Sequence, residues 1–265
     1  MRPDRFLKLR RVLDRRQPDL TVLMERVNKT HNFSAILRNC DAAGVLEAHA
    51  VPPDRGLDLH SDTSGGTAKW IRVHRHPDGP SAIRFLQGEG FQVVAAHPGP
   101  RAVDFRKVDF TRPTALLMGA ELYGVSPEAL KLCDVTAVIP MMGMVRSLNV
   151  SVAAALLLYE AMRQREIRGM YDPPSRLPAD RYAETLFEWA HPELASRCRL
   201  RGLPYPKLGE EGQIVGSLEG LRRPDDSVPG DSASADSVPQ EPLPTEAADP
   251  QGKSRTESHP EGERR

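Results

Sequence analysis

The chain has 265 residues, 39% hydrophobic and 27% charged, with a mean hydropathy of −0.45: enough apolar content for a core, in a chain that stays hydrated. Thirty-six Lys and Arg balance 36 Asp and Glu, which for the chain as a whole argues against a nucleic-acid partner. The balance is uneven, however: the first 206 residues hold 29 basic and 23 acidic side chains and the remaining 59 hold 7 and 13, so a basic body precedes an acidic tail.

At the N-terminus, Phe6, Leu7, Leu9, Val12 and Leu13 recur at helical spacing and predict an amphipathic helix packed on the body. Its other positions carry Arg5, Lys8, Arg10, Arg11, Arg15 and Arg16, more cations than solubility needs, and suggest contact with a phosphate backbone. Strands are expected at Leu20–Met24, Glu47–Val51, Ala68–His76, Phe91–Ala96, Thr114–Met118 and Val135–Ile139. Helices are expected at Asn32–Ala43, closed by Gly44, at Ser81–Gln87, from Ser126 as N-cap with Pro127 behind it, and from Ser147 to about Arg168. Strands separated by helices predict an α/β fold with a mainly parallel sheet. Tyr182 to Leu200 adds one or two amphipathic helices. Beyond about residue 220 the chain is rich in Pro, Ser, Asp and Glu, has no apolar period, and reads as a disordered acidic tail. The organisation expected is a basic helical extension (1–19), a catalytic domain (20–168), a C-terminal helical extension (169–220) and the tail (221–265).

Several classes are disfavoured. The longest apolar stretch, Val150 to Tyr159, is too short to span a bilayer, and the charged N-terminus lacks the apolar core of a signal peptide. Cys40, Cys133 and Cys198 lie far apart with no CxxC pair, so neither zinc nor a disulfide framework is expected, and a reducing cytoplasm fits. His74 and His76 would share a strand face, a pair more usual at a surface than around a metal. No Walker loop or GxGxxG follows a strand.

In parallel α/β sheets ligands gather at the C-terminal ends of strands, and three segments end strands there with unusual residues. Asn28-Lys-Thr-His-Asn-Phe-Ser-Ala-Ile-Leu-Arg-Asn-Cys-Asp-Ala-Ala-Gly44 places Asn32 at a helix start, where it could cap, and Arg38 less than two turns on. A cation so near a helix N-terminus hints at an anionic ligand. Leu116-Leu-Met-Gly-Ala-Glu-Leu-Tyr-Gly-Val-Ser126 runs a strand into two glycines flanking Glu121, permitting close backbone approach. Ile139-Pro-Met-Met-Gly-Met-Val-Arg-Ser-Leu-Asn-Val-Ser-Val-Ala-Ala-Ala155 leads through a Met-rich loop to Ser147, Leu148 and Asn149, then to a small-residue helix face suited to a tight crossing.

Together these segments resemble the three motifs of the SpoU/TrmH family of 2′-O-ribose RNA methyltransferases, and the likeness extends over about residues 1 to 216. It implies a SPOUT α/β fold with a C-terminal trefoil knot, S-adenosylmethionine as cofactor, and a homodimer whose active site is completed across the interface. Carried over, Ala96, Gly119, Ile139 and Leu148 would meet the cofactor, and Asn32, Arg38, Glu121, Ser147 and Asn149 are the motifs' polar residues. The implied reaction is methylation of the ribose 2′-hydroxyl of guanosine 18 in tRNA. Arg38 corresponds to the family's activating residue, although a guanidinium is a poor base; a grip on the adjacent phosphate suits it better. Glu121 is expected to hold the motif loops rather than move a proton. Arg163, Arg165 and Arg168 are further candidates for RNA contact. The alternatives are a ribosomal RNA 2′-O-methyltransferase, for which only nineteen residues before the first strand leave little room for an RNA-binding domain, and a non-catalytic RNA-binding protein of the same fold.

Overall fold

The computed structural model describes residues 1–53 and 69–216. The main sheet is built from β1 (Leu20–Glu25), β2 (Glu47–Val51), β3 (Arg72–Arg75), β4 (Gln92–Ala96), β5 (Val103–Asp104), β6 (Thr114–Met118) and β7 (Val135–Val138), in the order β3-β2-β1-β6-β4-β7-β5. Every pairing within it is parallel. Around it lie α1 (Pro3–Asp14), α2 (Thr30–Ala42), α3 (Gly79–Gly88), α4 (Pro127–Leu132), α5 (Val150–Ile167), α6 (Ala179–Ala190) and α7 (Pro192–Arg201), and a short antiparallel pair, β8 (Lys207–Leu208) and β9 (Ile214–Val215), follows.

All residues of β1 and β6 are buried, most of them apolar, as a parallel sheet needs when both faces are covered. On one face Val22, Met24 and Leu116 pack with Ile36 of α2 and Leu157 of α5. On the other, Leu23, Val93 and Leu117 pack with Ile83 of α3 and Ala129 of α4. A third cluster joins Phe6, Leu9 and Leu13 of α1 to Leu186 and Trp189 of α6.

Local signals place most elements: Ser126 Oγ accepts from the Ala129 N–H at 3.2 Å, and Gly44 turns the chain after α2 at φ +78°. Several boundaries move: β1 runs on to Glu25, β4 starts at Gln92, β7 stops at Val138, and α3 starts at Gly79 behind the Asp78 cap. The long helix starts at Val150 rather than Ser147, because Asn149 caps it by accepting from the Ser151 N–H at 2.8 Å. The first motif's helix starts at Thr30, with Lys29 in the cap position, so Asn32 is not a cap. The third strand covers only Arg72–Arg75; Ala68 and the acidic tail lie outside the described residues. Leu7 and Val12 are 43% and 39% exposed, so the buried stripe of α1 is narrower than its sequence suggests.

Two arginines expected to contact RNA are interior. Arg165 is fully buried, and donates to the carbonyls of Phe110, Asp19 and Arg112 and to the side chains of Gln17 and Asp19, the last at 2.6 Å. Arg16 is 1% exposed, bonded to the Val45 carbonyl at 2.7 Å and to the Asp41 carboxylate, with its guanidinium 5.2 Å from the Trp189 ring. Both cations are engaged in backbone carbonyls and carboxylates, so neither is a phosphate contact.

Candidate active site and family

Gly119 follows the last residue of β6, and the chain turns so tightly that the Ala120 and Gly124 backbones bond each other at 3.0 and 2.7 Å. A Cβ on Gly119 would lie 2.1 Å from the Gly124 carbonyl carbon, so no side chain fits there. Gly124 itself sits at φ +68°, the left-handed region that glycine enters without steric cost. This turn aims Glu121 at the start of α2. Its carboxylate accepts from the Asn28 N–H at 3.2 Å, the Lys29 N–H at 3.1 Å and the Asn32 side-chain amide at 2.8 Å. Burial opposes the charge, but the Asn32 amide and the backbone donors outweigh it and hold the carboxyl below its ordinary range. Asn32, in turn, accepts from the Asn149 amide at 3.0 Å. One hydrogen-bonded chain, Glu121–Asn32–Asn149, therefore joins all three motif segments.

Beside it lies a cavity of about 340 Å³ at the C-terminal ends of β4, β6 and β7. Ala96, Gly119, Ile139 and Leu148, the four positions expected to meet the cofactor, all line it, as do Glu121 and Ser147. A lining that combines Met118, Ile139, Met141, Leu148 and Val150 with a few polar residues suits a nucleoside-bearing cofactor, because apolar walls pack on a base and polar groups fix its orientation. The residues present fit S-adenosylmethionine.

Arg38 stands farther along α2, exposed, and among the described residues it has no hydrogen-bond or ion-pair partner. It is not bonded to the Glu121–Asn32–Asn149 chain, and Ser147 is likewise exposed. Sequence reasoning missed His97 and Arg146, which also line the cavity. His97 follows the last residue of β4, at the edge where ligands collect, and that position was its only signal. It also missed buried Glu25, whose carboxylate accepts from the Ser126 N–H at 2.9 Å and hydroxyl at 2.7 Å and fixes the start of α4. Of the candidate RNA contacts, Arg5, Lys8, Arg10, Arg11, Arg15 and Arg168 are exposed, and exposed Arg163 pairs with Glu160 at 2.7 Å. His74 and His76 do face the same side of β3, with His49 beside them, but among the described residues no group of His, Cys, Asp or Glu is arranged to hold a metal.

Comparison with known proteins agrees with this geometry. The SpoU rRNA Methylase family matches residues 19–159, and the SpoU rRNA methylase C-terminal family matches residues 163–217. The tRNA (guanosine(18)-2′-O)-methyltransferase of Escherichia coli strain K12 is 48% identical over 215 residues, 81% of this chain and 94% of that protein. The crystal structure of the A. aeolicus TrmH/SpoU tRNA modifying enzyme superposes with a TM-score of 0.67 at 41% identity, covering 72% of this chain and 97% of that one. The SpoU methyltransferase AviRb from Streptomyces viridochromogenes, solved in complex with AdoMet, superposes with a TM-score of 0.51 at 30% identity, covering 57% of this chain and 62% of that one. With over half its length matched by the family, and a cavity, a glycine turn and three joined motifs in one place, the chain belongs to the SpoU methylase family.

Proposed function

We propose that the protein transfers the methyl group of S-adenosylmethionine to the ribose 2′-oxygen of guanosine 18 in tRNA, the reaction for which the E. coli relative is named. The observation that carries this reading is the Glu121–Asn32–Asn149 chain, which brings the three motifs to the rim of a cofactor-sized cavity. Ala96, Gly119, Ile139 and Leu148 hold the cofactor, which when bound supplies an electrophilic methyl carbon. Glu121 accepts three hydrogen bonds and transfers no proton; with Asn32 and Asn149 it is a positioning residue. Ser147, exposed on the cavity rim, orients ribose or cofactor.

Arg38 grips the phosphate beside the target ribose. A fixed cation there stabilises the developing alkoxide and lowers the hydroxyl's pKa, and the proton leaves to the RNA or solvent, because a guanidinium has no lone pair to take it. The exposed cations of α1, with Arg163 and Arg168 near the end of α5, hold the RNA backbone. Residues 20–168 act as the catalytic unit between the two helical extensions, with the C-terminal part threaded as the family's trefoil knot. The chain works as a homodimer: Val152, Leu156 and Tyr159 form an exposed stripe along α5, and Met142 and Met144 of the third motif are 95% and 100% exposed, an apolar surface that a second copy would cover. No helix among the described residues is long and apolar enough to cross a membrane.

Methyl transfer from labelled cofactor tests the reading on two tRNA transcripts, one with guanosine and one with 2′-deoxyguanosine at position 18. Label should enter the first only; label in the deoxy transcript overturns ribose chemistry at that nucleotide.

A further inference from the structure

A second cleft, of about 610 Å³, opens at the other end of the sheet. Glu47 and Arg72 line it from the first residues of β2 and β3, whereas the cofactor cavity takes Ala96 and Met118 from the last residues of β4 and β6. Five-residue parallel strands separate the two by roughly 15 Å along the strand direction. The chain has two tryptophans, Trp70 and Trp189, and both line this cleft. Their rings meet edge to face, centroids 5.4 Å apart. Trp189 is 7% exposed and packed, with the Arg16 cation against it; Trp70 is half-buried and presents ring surface to the opening.

The charge around these rings is uneven. Glu188 is neutralised by Arg72 at 3.0 Å and Arg199 at 2.9 Å, and Glu47 by Arg181 at 2.5 Å, with His74 3.1 Å away. Arg5 and Lys69 also line the cleft, and among the described residues neither side chain has a hydrogen-bond or ion-pair partner. An aromatic wall beside two unmatched cations suits a nucleotide, whose base stacks on an indole while its phosphate meets the cations. Arg5 also continues the exposed cation row of α1, so a strand of RNA lying on that helix would reach the cleft.

We propose that this cleft is a second RNA-contact site, which takes one nucleotide of the tRNA with its base on Trp70 and its phosphate between Arg5 and Lys69. The proposal rests on the tRNA-methyltransferase reading. Because both tryptophans belong to the cleft, acrylamide quenching of intrinsic emission reports its occupancy. Saturating tRNA transcript should lower that quenching at least about twofold, and S-adenosylmethionine alone should leave it unchanged. Substituting Arg5→Ala and Lys69→Ala together should raise the Kd for tRNA about fivefold or more and leave cofactor affinity unchanged. Trp70→Leu, which keeps apolar packing but removes the stacking face, should act in the same direction; if it fails to fold, quenching of the unaltered protein and the Kd of the double variant still decide. tRNA that is bound and methylated without shielding the tryptophans, or an unchanged Kd in the double variant, overturns the cleft and leaves the enzyme reading intact. tRNA that is neither bound nor methylated overturns both.

Discussion

With its carboxylate held ionised by one side-chain amide and two backbone N–H groups, Glu121 has a fixed geometric task, whereas Arg38 is exposed and, among the described residues, unpaired. Arg38→Lys keeps the charge and loses the planar fork that matches a phosphate. It should lower kcat at least about tenfold while cofactor affinity, by titration calorimetry, stays the same; near-normal turnover would remove Arg38 from the reaction. A different titration belongs to His49, 6% exposed, with Nδ1 2.9 Å from His76 Nε2 and its ring stacked on His74. Burial first, then the neighbouring imidazoles His74 and His76, bring its pKa from 6.5 down to about 4, against the weaker opposite pull of Glu47. The folded protein keeps His49 neutral while the unfolded chain protonates, so the stabilisation is complete above about pH 6.5 and is lost as the pH falls toward 4. Unfolding free energies from urea titration should be lower at about pH 5 than at pH 7, by no more than about 3 kcal/mol, and His49→Gln should shrink the difference.

Elements were legible where their signals are local. Thr114–Met118 reads as a strand from its apolar run and Glu47–Val51 from Ala48, Ala50 and Val51, and Ser126 with Pro127 announces α4 within four residues. The interior role of Asn32 was not legible, since its partners Glu121 and Asn149 lie 89 and 117 positions away and only the fold brings them together. Ala96, Gly119, Ile139 and Leu148 were singled out through family likeness, whereas His97 and Arg146 at the same cavity carry no spacing pattern of their own. Arg165 shows the limit of reading charge as surface. It sits in the basic half of α5, yet the carbonyls of Phe110, Arg112 and Asp19 converge on it from two separate segments. Arg176 still pairs Asp19 when Arg165 is removed, but three carbonyls lose a donor, so Arg165→Ala should cost about 3 kcal/mol or more in denaturant unfolding, whereas Arg163→Ala, which loses a surface pair, should cost less than about 1 kcal/mol.

For the whole molecule, a formal charge of zero conceals the basic body that an RNA substrate requires, and the exposed face of α1 concentrates that charge. Deleting the arm would not isolate its electrostatics, because Phe6, Leu9 and Leu13 complete the cluster with α6. Replacing Lys8, Arg11 and Arg15 by Ala spares that cluster and Arg10, which bonds Tyr182 of α6, and should reduce the slope of log K for tRNA against log salt by up to about 3, measured by filter binding. An unchanged slope would place the RNA elsewhere.

The arm is held by the far end of the chain: Tyr182 donates to Asp14 at 2.7 Å, the Gln17 amide to the Met170 carbonyl at 2.9 Å, and Arg165 and Arg176 both close on Asp19. The N-terminal helix and α6 therefore form one cooperative unit. In hydrogen exchange the amides of α1 and α6 should open together with a single free energy, distinct from that of the central strands. Any partner or protease that loosens residues 169–178 would also release the basic arm, so the orientation of its exposed cations is set by sequence more than 150 positions downstream of them.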